Sequence, residues 1–489
     1  MAEIVVSVFA ENPDQTRRDL RRAAMAGADW VEVRLDRWPE NESLQSAFGS
    51  ARVPIIATCR TDRDGGSWKG PARKRIALLE RAVEAGARGL DLEDWETWTP
   101  PADSLELIVR SHHDLRRMPE NLPELRDRLL GQGGQVAKIV GTAHDLAETA
   151  PLLALLRSSD PSLSPTAAFA LGPAASVTRV LSAALGARLV YASLEGAEST
   201  APGQWPVRLV SGLYRVRELH SETRIFGLLG NPALHSAGPW VHNRALRAAG
   251  VDGIYVPLET QRPQDVLAML PLRRLGGFSV TSPHKETAAR LCHRLSARAT
   301  ALGAVNTITF EAHDQAVGEN TDVDGVKGAL RRAGFSSGEG RPGVVLGGGG
   351  AARAAAFALE ELGLKPTILA RSLEGIREFA RERDYRLAGW RSQVLEELEP
   401  AAVVNTTPIG SGDFVRERPF PDWRPPQGCF VLDAVYTPRR TVFLEDAAAA
   451  GAVAVSGLEM FLTQAAEQVR IFTGSRPDES TLRRYLAGS

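Results

Sequence analysis

One lysine lies inside an apolar run, where a lysine needs a reason to be. Lys138 sits in QVAKIV (135–140). An amine whose surroundings disfavour the ammonium form becomes nucleophilic near neutral pH and condenses with ketones. Other short apolar runs end on polar groups. Glu32 and Arg34 lie in DWVEVRL, Arg60 precedes Asp64-Gly65-Gly66, and Ser111-His112-His113-Asp114 follows LELIVR; further on come Arg179 and Thr200-Ala201-Pro202-Gly203-Gln204. A lysine flanked by apolar walls and cations, a histidine to move protons at carbon and oxygen, and several arginines would suit the carbonyl of an anionic substrate. Each residue alone has a plainer reading. A strand lysine usually snorkels to an edge, His112-His113 would serve at a surface, and Glu32 and Arg34 share a strand face on which they can pair with each other. HxH and HxxxH spacings are absent here, so no metal is expected.

A second set lies downstream. In VVLGGGGAARAAAFAL (344–359) a β-branched run meets glycines and then an alanine-rich helix. Gly347, Gly349 and Ala352 fit G-x-G-x-x-A, with Gly348, Gly350 and Ala351 completing the loop. Such a loop lets backbone N–H groups approach a pyrophosphate at a helix N-terminus. The next strand, KPTILA (365–370), ends on Arg371-Ser372 where an NAD site wants an acid, so NADP is favoured. Upstream, Lys285 follows a Pro-His bend in GGFSVTSPHKETA, Asn306 lies in ALGAVNTITF, and Asn320, Thr321 and Asp322 lie in VGENTDVDG. A cation, an amide and a carboxylate can bind a polyhydroxylated ring and relay a proton during hydride transfer. The plain alternatives are a proline at a helix start, an aspartate cap and a solvated arginine.

These groups need elements to hold them. Eight strand candidates occupy 4–9, 29–35, 53–59, 88–93, 105–110, 135–140, 166–171 and 188–193, with helical patterns such as 16–27, 72–86, 144–159 and 176–186 between them. Eight parallel strands with helical crossovers close into a (β/α)8 TIM barrel, whose functional groups gather at the strands' carboxyl ends. A second strand–helix alternation starts near 223, and a Gly- and Ser-rich link (331–341) precedes the glycine loop. The whole chain has 489 residues, 43% hydrophobic and 24% charged, with net charge -1. That balance offers nothing to nucleic acid or an anionic membrane. Cys59, Cys292 and Cys429 are scattered and form no CxxC, so a reducing compartment is the default. The N-terminus does not read as a signal peptide, and no apolar stretch is long enough to span a membrane.

The first half resembles the type I 3-dehydroquinate dehydratase family. The matching stretches are VEVRLD (31–36), CRTDRDGG (59–66), SHHDL (111–115), AKIV (137–140), SVTR ending at Arg179, and TAPGQW (200–205). The resemblance implies a Schiff base between Lys138 and a substrate ketone, with His113 as general acid and base and no cofactor. Glu32, Arg34, Arg60, Arg179, Thr200 and Gln204 would hold hydroxyls and carboxylate. Asp64 stands where the family usually has Glu; the resemblance implies that this carboxylate orients the histidine, and Asp keeps the charge but is one methylene shorter, so its hydrogen bond to His113 would need a backbone shift or a water. Thr200 replaces a serine and keeps the hydroxyl.

From about 224 onward the chain resembles shikimate dehydrogenase. The resemblance is carried by LLGNPALHSAGPWVHN (228–243), SVTSPHK, GAVNTI, GENTDVDG, the glycine loop, VVNTTPIG (403–410), DAVYTP (433–438) and GLEMFLTQAAEQ (457–468). It implies Lys285 and Asp322 as the acid/base pair, and Ser236, Ser279, Thr281, Asn306, Tyr436 and Gln464 around the substrate. Arg371, Ser372, Asn405, Thr406, Thr407 and Gly457 would join the glycine loop around NADP. Gly238 removes one of two serine hydroxyls that the family commonly shows, a loss of about 1.5–3 kcal/mol unless water replaces it.

The expected architecture is therefore α/β: a dehydratase barrel over 1–221, a substrate lobe over 222–330, a Rossmann NADP lobe over 331–455 and returning helices over 456–489. The expected activity is conversion of 3-dehydroquinate to 3-dehydroshikimate and its reduction to shikimate, in the cytoplasm, with small molecules as the partners and the oligomeric state open. Two rivals are a catabolic quinate or shikimate dehydrogenase fusion using NAD, and a metabolite sensor that has lost turnover.

Overall fold

The computed structural model describes residues 1–49, 51–100, 104–157, 165–311 and 315–487. The chain divides into two compact units, Met1–Ile225 with Ile254–Arg274, and Phe226–Gly253 with Leu275–Ser489.

The first unit is a nearly closed barrel of eight parallel strands: β1 (Glu3–Phe9), β2 (Trp30–Arg34), β3 (Ile55–Thr58), β4 (Gly89–Glu93), β5 (Leu107–His113), β6 (Val136–Thr142), β7 (Thr166–Leu171) and β8 (Leu189–Ser193). Their order is β7-β6-β5-β4-β3-β2-β1-β8. The two ends of that order meet where the Arg188 N–H donates to the Thr166 carbonyl at 2.8 Å. All eight strand candidates are strands. The helical stretch at 144–159 is a helical turn followed by a helix over Ala150–Arg157; Ser158 and Ser159 lie outside the described residues.

Alternation decides what faces inward. The registers Ser7↔Glu32, Thr58↔Asp91, Glu93↔Ser111 and Ser111↔Lys138 carry one interior face around the barrel. Nearer the strands' amino ends that face is apolar: Val5, Trp30, Ile56, Leu107, Val109 and Val136 form a packed core. Nearer the carboxyl ends the same face is charged, so the apolar layer is the floor under a polar layer.

The second sheet has six strands in the order β10-β9-β11-β13-β14-β12. They are β9 (Arg224–Gly230), β10 (Gly253–Glu259), β11 (Leu275–Val280), β12 (Arg294–Leu295), β13 (Thr307–Phe310) and β14 (Ala316–Glu319). β13 runs antiparallel to β11 and β14. The third sheet is wholly parallel, in the order β17-β16-β15-β18-β19-β20. Its strands are β15 (Pro342–Leu346), β16 (Lys365–Ala370), β17 (Arg386–Gly389), β18 (Ala402–Asn405), β19 (Phe430–Asp433) and β20 (Val453–Ser456). The order reverses beside β15, and in doubly wound sheets that is where dinucleotides bind. The helices Asp322–Arg332 and Gly457–Thr473 belong to this unit; the second supplies Leu462, Ala465, Ala466 and Val469 to an apolar cluster with Val241 and Leu482.

Candidate active sites

Lys138 points into the barrel. It is buried, and its Nζ donates to Asp91 Oδ2 at 2.8 Å and Glu32 Oε1 at 3.4 Å. The Tyr191 ring lies 3.9 Å from the same nitrogen, close enough for a cation–π contact. The expectation of a lysine among cations is thus corrected: in the free protein two carboxylates and a ring face hold it, because Asp91 and Glu32 alternate onto the same interior face. Glu32 also accepts from Ser7 Oγ at 2.6 Å and Thr58 Oγ1 at 3.1 Å. Burial alone would raise the Glu32 carboxyl, but Lys138 and Arg60 draw it below its ordinary value.

Arg60 is the hub of this layer. Its Nη2 donates to Asp91 at 2.9 Å, its Nη1 donates to Glu93 Oε1 at 2.6 Å, and Nη1 also lies 3.2 Å from His113 Nδ1. Burial opposes the Asp91 carboxylate, yet Arg60 and Lys138 hold it well below the usual range. Glu93 goes the other way: burial pushes it up to about 8. Burial, with Arg60 and Lys138 nearby, holds the His113 imidazole well below its ordinary value, so it is neutral. Strand alternation separates the two histidines. His113 faces inward, whereas His112 turns to Asp94 at 2.9 Å.

Two expected pairings do not form. Arg34 does not pair with Glu32; its guanidinium forks onto Asp36 at 2.8 and 3.1 Å and reaches the Thr200 carbonyl at 3.4 Å. Asp64 makes no hydrogen bond to His113. Its Oδ2 accepts from Thr61 Oγ1 at 2.5 Å and Trp95 Nε1 at 3.1 Å, the short side chain turning back onto its own loop.

Arg179 is 1% exposed and, among the described residues, has no carboxylate partner. It donates to the carbonyls of Gly203 (3.2 Å) and Pro202 (3.3 Å), stacks on Phe169 at 4.1 Å, and leaves Nη1 buried without a partner. Burial draws its guanidinium down to about 9. An unpaired buried cation is costly unless an anion arrives. On the neighbouring loop Thr200 Oγ1 and Ser199 Oγ donate to Gln204 Oε1 at 3.2 and 3.0 Å.

In the second unit, Lys285 opens the helix Lys285–Leu291 and is ion-paired to Asp322 Oδ2. Asn306, immediately before β13, donates from Nδ2 to the other Asp322 oxygen at 2.8 Å and accepts the Thr321 N–H at 2.8 Å. Gln464 comes within 3.4 Å of Thr321 Oγ1, and Tyr436 stacks on Phe461 at 4.9 Å. Ser236 Oγ accepts the Gly238 N–H at 3.0 Å, and the Thr281 N–H donates to the Leu229 carbonyl at 2.9 Å. The Ser279 hydroxyl is already engaged, donating to Gln468 Oε1 at 2.9 Å. Gln468 is buried and also donates to the Asn306 carbonyl and Thr307 Oγ1, both at 3.1 Å.

The glycine loop joins β15 to the helix Gly350–Glu361, whose first turn no side chain caps. Gly347 adopts φ +129°, and a Cβ there would fall 2.4 Å from Thr406 Oγ1. A Cβ on Gly349 would meet nothing within 4 Å, so that face of the loop is open. Gly348 lies beside Ala370 and Ser372, Gly350 beside Lys285, and Ala351 is half-buried. Arg371 is exposed at the end of β16 with no ion pair, and Ser372 follows it. This cradle fits a phosphorylated dinucleotide. Asn405 is a correction: it is fully buried, donates to Asp433 at 2.9 Å and accepts from Thr407 Oγ1 at 2.7 Å, so it shapes the loop from behind. Thr406 is tied to the Leu346 carbonyl at 2.7 Å. Gly457 sits against three backbone carbonyls, which a Cβ would approach to 2.5–2.6 Å.

Comparison with known proteins agrees with both halves. Residues 4–221 match the family model for type I 3-dehydroquinase. Residues 228–308 match the shikimate dehydrogenase substrate binding domain, and 457–484 the shikimate 5'-dehydrogenase C-terminal domain. A bifunctional 3-dehydroquinate dehydratase/shikimate dehydrogenase of Arabidopsis thaliana, described as chloroplastic, is 31% identical over 96% of this chain and 82% of its own length. The chain belongs to this bifunctional family. The NADP(+) shikimate dehydrogenase of Methanothermobacter thermautotrophicus is 39% identical over 54% of this chain and 98% of its own. The crystal structure of the Aquifex aeolicus shikimate dehydrogenase superposes with a TM-score of 0.50 at 28% identity, covering 54% of this chain and 98% of that one.

Within the family's barrel, reading polar residues at strand ends passes over strand four, and so misses Asp91 and Glu93. The available signal was RGLDLE itself, in which two acids alternate through a buried strand. Ser7, Ser111 and Tyr191 were legible the same way, since all three occupy interior registers. Gln468 gave no comparable signal.

Proposed function

We propose that the chain converts 3-dehydroquinate to 3-dehydroshikimate in its barrel and reduces that product to shikimate in its second unit, two consecutive steps of the shikimate pathway. The observation that carries the first step is the shared interior of Lys138, neutral His113 and the unpaired Arg179 cation. Arg179 takes the substrate carboxylate, which supplies its missing counter-ion. The Lys138 amine, released from Asp91 and Glu32 as substrate enters, condenses with the ketone and expels water. The protonated imine then withdraws electrons, His113 removes the adjacent C–H proton, and the pair left behind expels the neighbouring hydroxyl, which leaves as water with a proton from His113. Glu32, Arg34, Arg60, Thr200 and Gln204 position the ring. No cofactor enters this half of the account.

The second step uses the Lys285–Asp322 pair. The glycine loop, with Arg371 and Ser372 beside it, would hold NADPH, which when bound would supply the hydride for the ketone carbon. Lys285 gives the ketone oxygen its proton, and Asp322, fixed by Asn306, holds the ammonium in place. Ser236, Ser279, Thr281, Tyr436 and Gln464 surround the substrate. Names of relatives that carry NADP(+) support this choice of cofactor.

We assign the barrel to 1–221, the substrate lobe to 222–330, the dinucleotide lobe to 331–455 and the returning helices to 456–489. We place the protein in the cytoplasm, a reading supported by its scattered thiols. Among the described residues no helix is long and apolar enough to cross a membrane. The testing experiment is borohydride reduction in the presence of 3-dehydroquinate. Covalent mass on Lys138 is expected, and an unmodified Lys138 would refute the imine route.

A further inference from the structure

One buried carboxylate in the barrel has no task in that scheme. Glu93 ends β4 with one oxygen committed: Oε1 accepts from Arg60 at 2.6 Å. Its other oxygen, Oε2, is buried without a hydrogen-bond partner and lies 3.6 Å from His113 Nδ1. Asp64, the acid that family resemblance sets behind the histidine, is engaged by Thr61 and Trp95. Among the described residues Glu93 is the carboxylate within ion-pairing reach of His113.

We infer that Glu93, rather than Asp64, is the positioning residue behind His113 and the group that takes up its Nδ1 proton during dehydration. The inference rests on the dehydratase reading above. Its physical basis is the charge crowding of this layer. Arg60 and Lys138 stand close to the imidazole, and Arg34 adds to their field, so an imidazolium with no carboxylate behind it is strongly disfavoured. The groups facing Glu93 are Arg60 just after β3, Asp91 on its own strand, Asp64 on the loop that follows Arg60, Lys138 on β6 and His113 on β5. Burial, joined by the Asp91 and Asp64 carboxylates, pushes its carboxyl up to about 8 against the opposing pull of Arg60 and Lys138, so a proton rests there without strain.

Because Arg60 can only donate, His113 Nδ1 in the free protein is bare, its Nε2 carries the proton, and Glu93 is protonated. Lys138 passes one ammonium proton to Asp91, its hydrogen-bond partner at 2.8 Å, and the free amine attacks the ketone; Nε2 then gives its proton to the carbinolamine hydroxyl, which leaves as water when the imine forms. Glu93 then passes its own proton to Nδ1 and becomes a carboxylate. Nε2 is now free to take the substrate C–H proton, whose bonding electrons move into the imine. As it does so, the Nδ1 proton returns to Glu93. Nε2 next protonates the leaving hydroxyl, that water departs, and Glu93 protonates Nδ1 again. Hydrolysis of the imine adds one water, reloads the pair and lets Asp91 return its proton to the Lys138 amine.

The test uses the full chain labelled with 15N-histidine, the His113 signal being assigned by its loss in His113→Asn. Glu93→Gln is expected to move the His113 Nδ1 resonance and to lower kcat for dehydration on the order of a hundredfold, with KM nearly unchanged. The limb of the wild-type pH profile near about 8 should flatten, and Glu93→Asp should recover part of the rate. Reduction of 3-dehydroshikimate should be untouched, and Asp64→Asn should lose less than Glu93→Gln. An unmoved His113 resonance, or a larger kcat loss in Asp64→Asn, overturns the inference. A wild-type chain that does not dehydrate refutes the dehydratase reading alone, since the resonance still decides whether Glu93 backs His113. Should Glu93→Gln not fold, the wild-type His113 signal from about pH 6 to about pH 9 decides: a shift following Glu93 supports the pair, and a flat trace overturns it.

Discussion

Arg179 and Glu93 are opposite cases of a buried ionisable side chain. Among the described residues Arg179 has no carboxylate against it and one guanidinium nitrogen without a partner; Glu93 sits against a cation, yet burial pushes its carboxyl up to about 8. On the proposed function, removing the Arg179 charge would strip the substrate carboxylate of its buried counter-ion. Arg179→Leu is therefore expected to cost about 1.5–3 kcal/mol of transition-state binding, roughly tenfold to a hundredfold in kcat/KM for 3-dehydroquinate. A variant with unchanged kcat/KM would show that the carboxylate binds elsewhere. Glu93 gives a stability test. Its folded value, about 8, lies above the ordinary 4.5, so its contribution is complete below 4.5 and is lost as pH rises through about 8. Glu93→Gln does not titrate, so its melting temperature relative to wild type should climb across that window. A constant difference would mean Glu93 is already ionised in the fold. At this scale the sequence was half legible. Period-two alternation distinguishes His113 from His112, but it does not tell that Arg34 prefers Asp36 to Glu32, because that choice depends on the turn after β2.

Parallel strands buried on both faces tend to be nearly continuous apolar runs, which made IVVSVF and TAAFAL legible, while DWVEVRL and RGLDLE were legible as apolar runs with charge at every second residue. What connects them was less so. Asn306 falls immediately before β13, and its partners Thr321 and Asp322 follow β14, the strand that pairs antiparallel with β13. Gln468 is reached only by packing one helix across that sheet, so no local pattern marks it. The same packing makes a prediction for the helix Gly457–Thr473. Its first residue meets the carbonyls of Asp433, Ala434 and Val435, which are backbone and cannot rotate away. Gly457→Ala should lose about 1–3 kcal/mol through overpacking, read as a lower melting temperature. An unaltered melt would mean the helix start shifts freely. Gly347→Ala should raise KM for NADPH, since its Cβ collides with Thr406 at the loop expected to hold the dinucleotide.

For the whole molecule, the essential property is that two complete sites share one chain, each with its own lysine: Lys138 among Asp91, Glu32 and His113, and Lys285 with Asp322 and Asn306. Each site closes on residues of its own unit, so the account needs no transfer between them. The measurement that bears most directly on it is NADPH oxidation by the purified chain supplied with 3-dehydroquinate alone. The account predicts oxidation by the wild type. Lys138→Ala should give none from 3-dehydroquinate but full oxidation from 3-dehydroshikimate, and Lys285→Ala should accumulate 3-dehydroshikimate without oxidation. A Lys138→Ala chain that still oxidises NADPH from 3-dehydroquinate, or a single substitution that abolishes both steps, would contradict it.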